Sequence, residues 1–207
     1  VTGPGAGDAM VSFFVPATPN NDDGDDPLFS DGAMAYGVTF ERADVVDVLF
    51  RMPDSGGVTE YTIFLDVVNQ TPDRWIGFAL ELGFGSGSDF VLSGVDGLSF
   101  DTDETDPYAE RTFPVHAASF ASSRQEDHRC LFLDGFVSAG FASNMLLAID
   151  VSDSGDIPPQ FAGNGEYLLT IRHRPLIVPE PSVLMLLHTA LMAMVFRRWR
   201  QQTDPTV

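Results

Sequence analysis

The chain predicts an all-β fold, an antiparallel β-sandwich of about eight to ten strands, followed by one C-terminal hydrophobic helix. Apolar and polar residues alternate with period two in segment after segment, which is the pattern of strands with one buried face. Clusters of Gly, Pro, Asp, Asn and Ser separate these segments at short spacing and supply turn chemistry. No stretch before residue 180 carries a helical stripe longer than two turns. Parallel strands need long crossovers, usually helical, so antiparallel sheets are expected.

Residues 1–7 read as a flexible leader and residues 8–171 as the sandwich domain. The first apolar run is Met10 to Val15, and the next, Val45 to Met52, stops at Pro53-Asp54-Ser55-Gly56-Gly57. Thr59, Tyr61, Ile63, Leu65 and Val67 then share one strand face, with Glu60, Thr62 and Asp66 opposite them alongside Phe64 and Val68. The same alternation places Ile76, Phe78, Leu80 and Leu82 together. After the run Leu131 to Val137, it recurs at Met145, Leu147, Ile149 and Val151, ahead of the turn Ser152-Asp153-Ser154-Gly155-Asp156. The last strand carries Tyr167, Leu169 and Ile171. Residues 172–182 form a stalk and a motif, because proline lacks the N–H that a sheet ladder uses. No internal repeat is present, which excludes solenoids and propellers.

Charge narrows the partners. The chain has 11 arginines, no lysine and 30 acids. Residues 1–178 hold eight of the arginines against 28 acids, a balance of −20, while the remaining 29 residues stand at +1. So acidic a domain repels nucleic acid and anionic headgroups and suits divalent cations or cation-bridged polysaccharide. Cys130 is the one cysteine. It has no partner for an internal disulfide, and its place before Leu131-Phe132-Leu133 reads as a buried strand position.

Two acidic clusters present oxygens at calcium-like spacing. Asn21, Asp23 and Asp26 surround Gly24, and Asp101, Asp103 and Asp106 repeat the arrangement without a glycine. Neither cluster completes the twelve-residue EF-hand pattern, so calcium stands beside a solvated turn as the two readings of each loop. Catalytic signatures are missing from the sequence. It contains no nucleophile elbow Gly-x-Ser-x-Gly and no His-Glu-x-x-His, and a phosphate loop ending in Gly-Lys is impossible without lysine. Gly83-Phe84-Gly85-Ser86-Gly87 lacks dinucleotide-site spacing and reads as a loop. His116, His128 and His173 have no close-spaced partners and read as surface or packing residues. No catalytic residue is assigned. A carboxylate-based hydrolase stays open as an alternative, because such a pair is defined in space and not along the chain.

The segment Val67-Val68-Asn69-Gln70-Thr71-Pro72-Asp73-Arg74-Trp75-Ile76-Gly77-Phe78, with Glu81-Leu82-Gly83-Phe84-Gly85 after it, places a polar turn before a tryptophan-led strand. Asn69 and Thr71 are suited to bonding their own backbone, and Trp75 to closing one end of the core or to stacking on a sugar. This segment resembles the "choice-of-anchor" group of bacterial surface β-domains. Asn69-Gln70-Thr71 also matches a glycosylation sequon, which carries little meaning in a surface domain of that group.

The C-terminal residues give the most direct functional signal. Val178-Pro179-Glu180-Pro181-Ser182 precedes VLMLLHTALMAMVF, residues 183–196, and then Arg197-Arg198-Trp199-Arg200 within the tail 197–207. The run is apolar on every helical face. Its fourteen residues span about 21 Å as a helix, against about 30 Å of hydrocarbon. Arg197, Arg198 and Arg200 supply a membrane stop that the positive-inside rule places in the cytoplasm, leaving residues 1–178 outside. Motif, helix and arginine cluster together resemble the PEP C-terminal sorting signal (PEP-CTERM) of Gram-negative bacteria that make exopolysaccharide. That resemblance implies a substrate, not an enzyme: transient insertion in the inner membrane, processing by an exosortase near Pro179, Glu180, Pro181 and Ser182, and delivery to the cell surface or extracellular matrix. The implied role is structural or adhesive, with exopolysaccharide as a partner and nucleic acid excluded. A calcium-dependent carbohydrate-binding module is the alternative. An N-terminal leader is expected on the same grounds, either already removed or lying outside a fragment.

Overall fold

The computed structural model describes residues 2, 5, 9–15, 33–53, 59–94, 98–100, 116–151, 161–163, 166–177, 192 and 194. The chain divides into two compact units, Val1–Ile177 and Val178–Val207. Among the described residues the first holds thirteen strands in chain order: β1 (Ala9–Val15), β2 (Ala33–Phe40), β3 (Val46–Pro53), β4 (Thr59–Asn69), β5 (Trp75–Phe84), β6 (Val91–Leu92), β7 (Ser99–Phe100), β8 (His116–Ala117), β9 (Phe120–Glu126), β10 (Arg129–Gly135), β11 (Phe141–Val151), β12 (Ala162–Gly163) and β13 (Glu166–Ile177). Nine of them have seven residues or more and the other four have two, so the expected number fits the long strands.

One sheet runs β1-β2-β4-β11-β7, with β8 also on β11. The other runs β3-β13-β5-β10-β9, with β12 beside the start of β13 and β6 beside the end of β5. Their inner faces share one core. Tyr36 of β2 meets Phe50 of β3 edge to face with centroids 5.2 Å apart, and Phe40 meets Trp75 at 5.3 Å and Phe78 at 5.9 Å. Such pairs join the two sheets by both area and ring geometry. The expected β-sandwich is therefore present.

Period two sorts the long strands as expected. Tyr61, Ile63, Leu65 and Val67 are buried on β4, as are Met145, Leu147, Ile149 and Val151 on β11 and Leu169 and Ile171 on β13. Each full burial of a side chain this size contributes about 1.5–3 kcal/mol before entropy is set against it.

Four expectations need correction. The sheets are not wholly antiparallel, because β2 and β4 pair in parallel from Ala33 opposite Thr62 to Phe40 opposite Asn69. The connection between them passes through β3 in the other sheet, so a strand and not a helix carries the crossover. Ile76 does not join Phe78, Leu80 and Leu82 inside. It is 41% exposed, because the register slips where Leu176 faces Gly77 but Ile177 faces Trp75, and a bulge of this kind turns one residue out of step.

The stalk expected from residue 172 is, as far as Ile177, paired strand. Pairing with β3 ends at His173 opposite Val46, so Pro175 has β5 as its one described neighbour and no second ladder asks for its missing N–H. The leader is also partly held: Thr2 exchanges backbone bonds of 2.9 and 2.8 Å with Asp47, and the Gly5 N–H reaches the Val45 carbonyl at 2.9 Å. The edge of β3 supplies the unpaired groups for these bonds.

In the second unit, Met192 and Met194 are described. The sorting residues Pro179, Glu180, Pro181 and Ser182, the arginines Arg197, Arg198 and Arg200, and most of the expected helix 183–196 lie outside the described residues. Among the described residues, no helix is long and apolar enough to cross a membrane.

Candidate functional site

The polar turn between β4 and β5 closes one end of the sandwich. Asn69 is fully buried. Its Nδ2 donates to the carbonyls of Asp73 at 2.8 Å and Val137 at 2.9 Å, and its Oδ1 accepts the Thr71 N–H at 2.9 Å. The Thr71 hydroxyl lies 2.7 Å from the same Oδ1 and accepts the Trp75 Nε1–H at 3.3 Å. An Asx side chain bonded two residues ahead is a turn-former, and here it also ties the turn to the loop at Val137. Trp75 is wholly buried against Phe40 and Phe78. It packs in the core as one reading expected, and offers no face to a sugar. Asn69, with both side-chain ends occupied, is not an exposed glycan acceptor in the folded chain.

The second polar cluster lies on the far side of the β13-β5 sheet. Period two sends Asp47, Glu81, Arg172 and Arg174 away from the core, yet Asp47 and Glu81 are nearly inaccessible. The segment after β5 folds back over Asp47 and Arg172. Gly83 permits this, since a Cβ there would stand 2.2 Å from the Val91 carbonyl oxygen and 2.8 Å from the Phe90 ring. Gly85 turns the chain at φ 72°, a conformation that glycine adopts without penalty. Asp47 accepts Arg172 Nε at 2.7 Å, Arg172 Nη2 at 2.9 Å and the Gly87 N–H at 2.6 Å. The Arg172 guanidinium stacks under Phe90, 3.8 Å from the ring centroid. The hydrogen bonds that Arg172 donates to Asp47 hold its guanidinium above the usual arginine range, although burial opposes the charge. Glu81 receives Arg129 at 2.8 Å and Arg174 at 3.4 Å. Both carboxylates are thus spent on arginines and offer no acid and base pair.

Between the sheets, the Tyr36 hydroxyl and His173 Nε2 lie 3.0 Å apart, and both side chains are fully buried. Burial pushes the imidazole down to about 4, outweighing the nearby backbone of Val46 and Ile171 and, more weakly, the field of Asp47, and it raises the Tyr36 phenol. His173 is therefore neutral at ordinary pH and has no route to a substrate. Its Nδ1 has no hydrogen-bond partner among the described residues. Cys130 is fully buried on β10, as expected, and burial pushes its thiol up to about 12, which makes it inert.

Two open hollows adjoin the β9–β10 hairpin. One, of about 340 Å³, is lined by small residues and by Phe120 and Phe132. The other, of about 380 Å³, is lined by Leu92, Glu126, Asp127, His128 and Arg129. His128 Nδ1 stands 3.2 Å from the Leu98 carbonyl; a carbonyl only accepts, so Nδ1 is the donor of this bond. Glu126 pairs with Arg124 at 2.8 Å. This hollow can hold a polar group against the imidazole but presents no nucleophile.

Asn21, Asp23, Asp26, Asp101, Asp103 and Asp106 lie outside the described residues. No group of three His, Cys, Asp or Glu side chains converges on a metal position among the described residues. The side chain of His116 also falls outside them. The arginine-carboxylate cluster was not anticipated. Its signal was present as charges at Asp47, Glu81, Arg129, Arg172 and Arg174 inside otherwise apolar strands. Compared with known proteins, the chain matches no family model, no curated protein and no solved structure.

Proposed function

We propose that the chain is an exported β-sandwich with a structural or adhesive role, carried by its C-terminal segment to the cell surface or extracellular polysaccharide matrix of a Gram-negative bacterium. The observation that carries this reading is the order Val178-Pro179-Glu180-Pro181-Ser182, apolar run 183–196, arginine cluster Arg197-Arg198-Trp199-Arg200. The division of the chain between Ile177 and Val178 supports it, since the compact sandwich stops one residue before that motif begins. Processing within 179–182 leaves every strand of the sandwich intact. The partner in processing is an exosortase-type membrane enzyme, and the inner membrane is the intermediate station. The filled core and the arginine-bound carboxylates favour a passive, cohesive domain over a hydrolase.

The test replaces Pro179, Glu180 and Pro181 with alanine in the native host. The expected result is an unprocessed form retained in the membrane. Secretion and processing unchanged from wild type overturn the reading.

A further inference from the structure

Exposed apolar side chains collect at the end of the sandwich from which the chain leaves. Ile177, the last residue of β13, is 37% exposed and faces Trp75 on β5. Ile76, next to Trp75, is 41% exposed. Val137 exchanges two backbone bonds of 3.0 Å with Trp75 from the other side, which brings its neighbour Phe136, 55% exposed, to the same end. The loop then returns through Gly140, whose N–H donates to Asn69, into Phe141, which is 67% exposed and faces Asn69 across the sheet. Arg74 places its guanidinium 5.2 Å from the centroid of the Phe136 ring. Two phenylalanines, two isoleucines and an arginine thus share one end. The opposite end of β5 also exposes Val91 and Leu92, beside a hollow lined by Glu126 and Asp127; Glu41, Asp73 and Asp134 stand near the Phe136 end as well, so what sets that end apart is its two exposed aromatic rings.

We propose that this end of the sandwich docks on the surface of a lipid bilayer, with Phe136 and Phe141 entering the interface and Arg74 at headgroup level. Aromatic and aliphatic side chains gain by entering the headgroup boundary, and an arginine keeps its charge outside while its stem follows them in. The argument for lipid over a second copy of the chain is the exit point. Five residues, 178–182, separate Ile177 from the apolar run 183–196, and five residues reach at most about 18 Å. If that run lies in a bilayer, the patch is tethered within reach of the same surface; the inference therefore rests on the proposed insertion of the C-terminal segment. The −20 balance of residues 1–178 disfavours anionic headgroups, so the surface it fits is zwitterionic. Docking would steady the domain while the motif at 179–182 is processed.

The test uses the full chain in phosphatidylcholine vesicles, with a nitroxide at Ala139, which is exposed in the loop between the two phenylalanines, or at Ser88, exposed at the other end. Buried Cys130 does not compete for the label. The expected result is that vesicles shield Ala139 from a water-soluble nickel relaxant at least threefold and leave Ser88 unchanged. The double variant Phe136→Ser, Phe141→Ser should restore access at Ala139 while the chain still floats with the vesicles. Flotation with Ala139 fully accessible overturns the docking alone. Failure to float overturns both the docking and the insertion on which it rests. Shielding that needs no lipid and grows with protein concentration assigns the end to a second copy and overturns the lipid proposal.

Discussion

Acidification should unfold this domain partly through one histidine. His173 is sealed between the sheets with its imidazole pushed down to about 4 from 6.5, and Tyr36 is its hydrogen-bonded neighbour. Between those two values the unfolded chain binds a proton that the folded chain does not, so stability is full above pH 6.5 and falls as the pH drops toward 4. The depression spans between two and three pH units, and at 1.36 kcal/mol per unit the whole loss is about 3 kcal/mol. That is a large fraction of the ~5–15 kcal/mol stability of a typical domain. Asp47 favours the protonated ring, but its charge is already matched by Arg172, which limits that help. Urea unfolding at pH 7.5, 6.5, 5.5 and 4.5 measures the effect. His173→Gln keeps an amide near Tyr36 and does not titrate, so subtracting its profile removes the contribution of the 30 acids. The advantage of wild type over His173→Gln should shrink by roughly 2–3 kcal/mol across that window, the remainder falling below pH 4.5. Parallel profiles, or a His173 imidazole NMR signal that titrates near 6.5 in the folded state, refute the reasoning.

Other substitutions test the two polar clusters. Asn69→Ala removes four hydrogen bonds at a fully buried position, and at about 1 kcal/mol net each should lower stability by roughly 3–4 kcal/mol in denaturant titration. Arg172→Met leaves the Asp47 carboxylate buried with the Gly87 N–H as its remaining described donor, and should cost about 3–5 kcal/mol. The control Arg124→Met breaks an exposed pair and should cost below about 1 kcal/mol. Gly83→Ala forces a Cβ against the Val91 carbonyl, so the segment covering Arg172 should loosen, read as faster amide exchange at Gly87 and Asp89. Cys130 should resist alkylation by iodoacetamide at pH 8 until denaturant is added, because its thiol is buried and protonated.

Strands with one buried face were legible because burial enforces period two, as at Tyr61, Ile63, Leu65 and Val67. Strand β9 was not, since its residues Phe120–Glu126 lie at the sheet edge and Phe120 alone is buried; an edge strand has little apolar pattern to display. Strand β2 does alternate, with Met34, Tyr36, Val38 and Phe40 inside, but the glycine at 37 and the short run masked it. Its parallel pairing with β4 depends on β3 crossing to the other sheet, a tertiary choice with no local signature. The same limit hid the Asp47-Arg172 pair, whose partners are separated by 125 positions. Asn69, Thr71 and Trp75 were legible as a turn and a core residue because their bonds are local. The bulge at Ile76 arises from pairing with β13 and left no mark in the sequence.

The central claim is that this sandwich is delivered by cleavage of its C-terminal segment. Mass spectrometry of the protein recovered from the surface or culture medium of the native host tests it most directly. The account predicts a mature C-terminus within 179–182, with residues 183–207 absent and all strands through Ile177 retained. A surface protein that still ends at Val207, apolar run included, would contradict it.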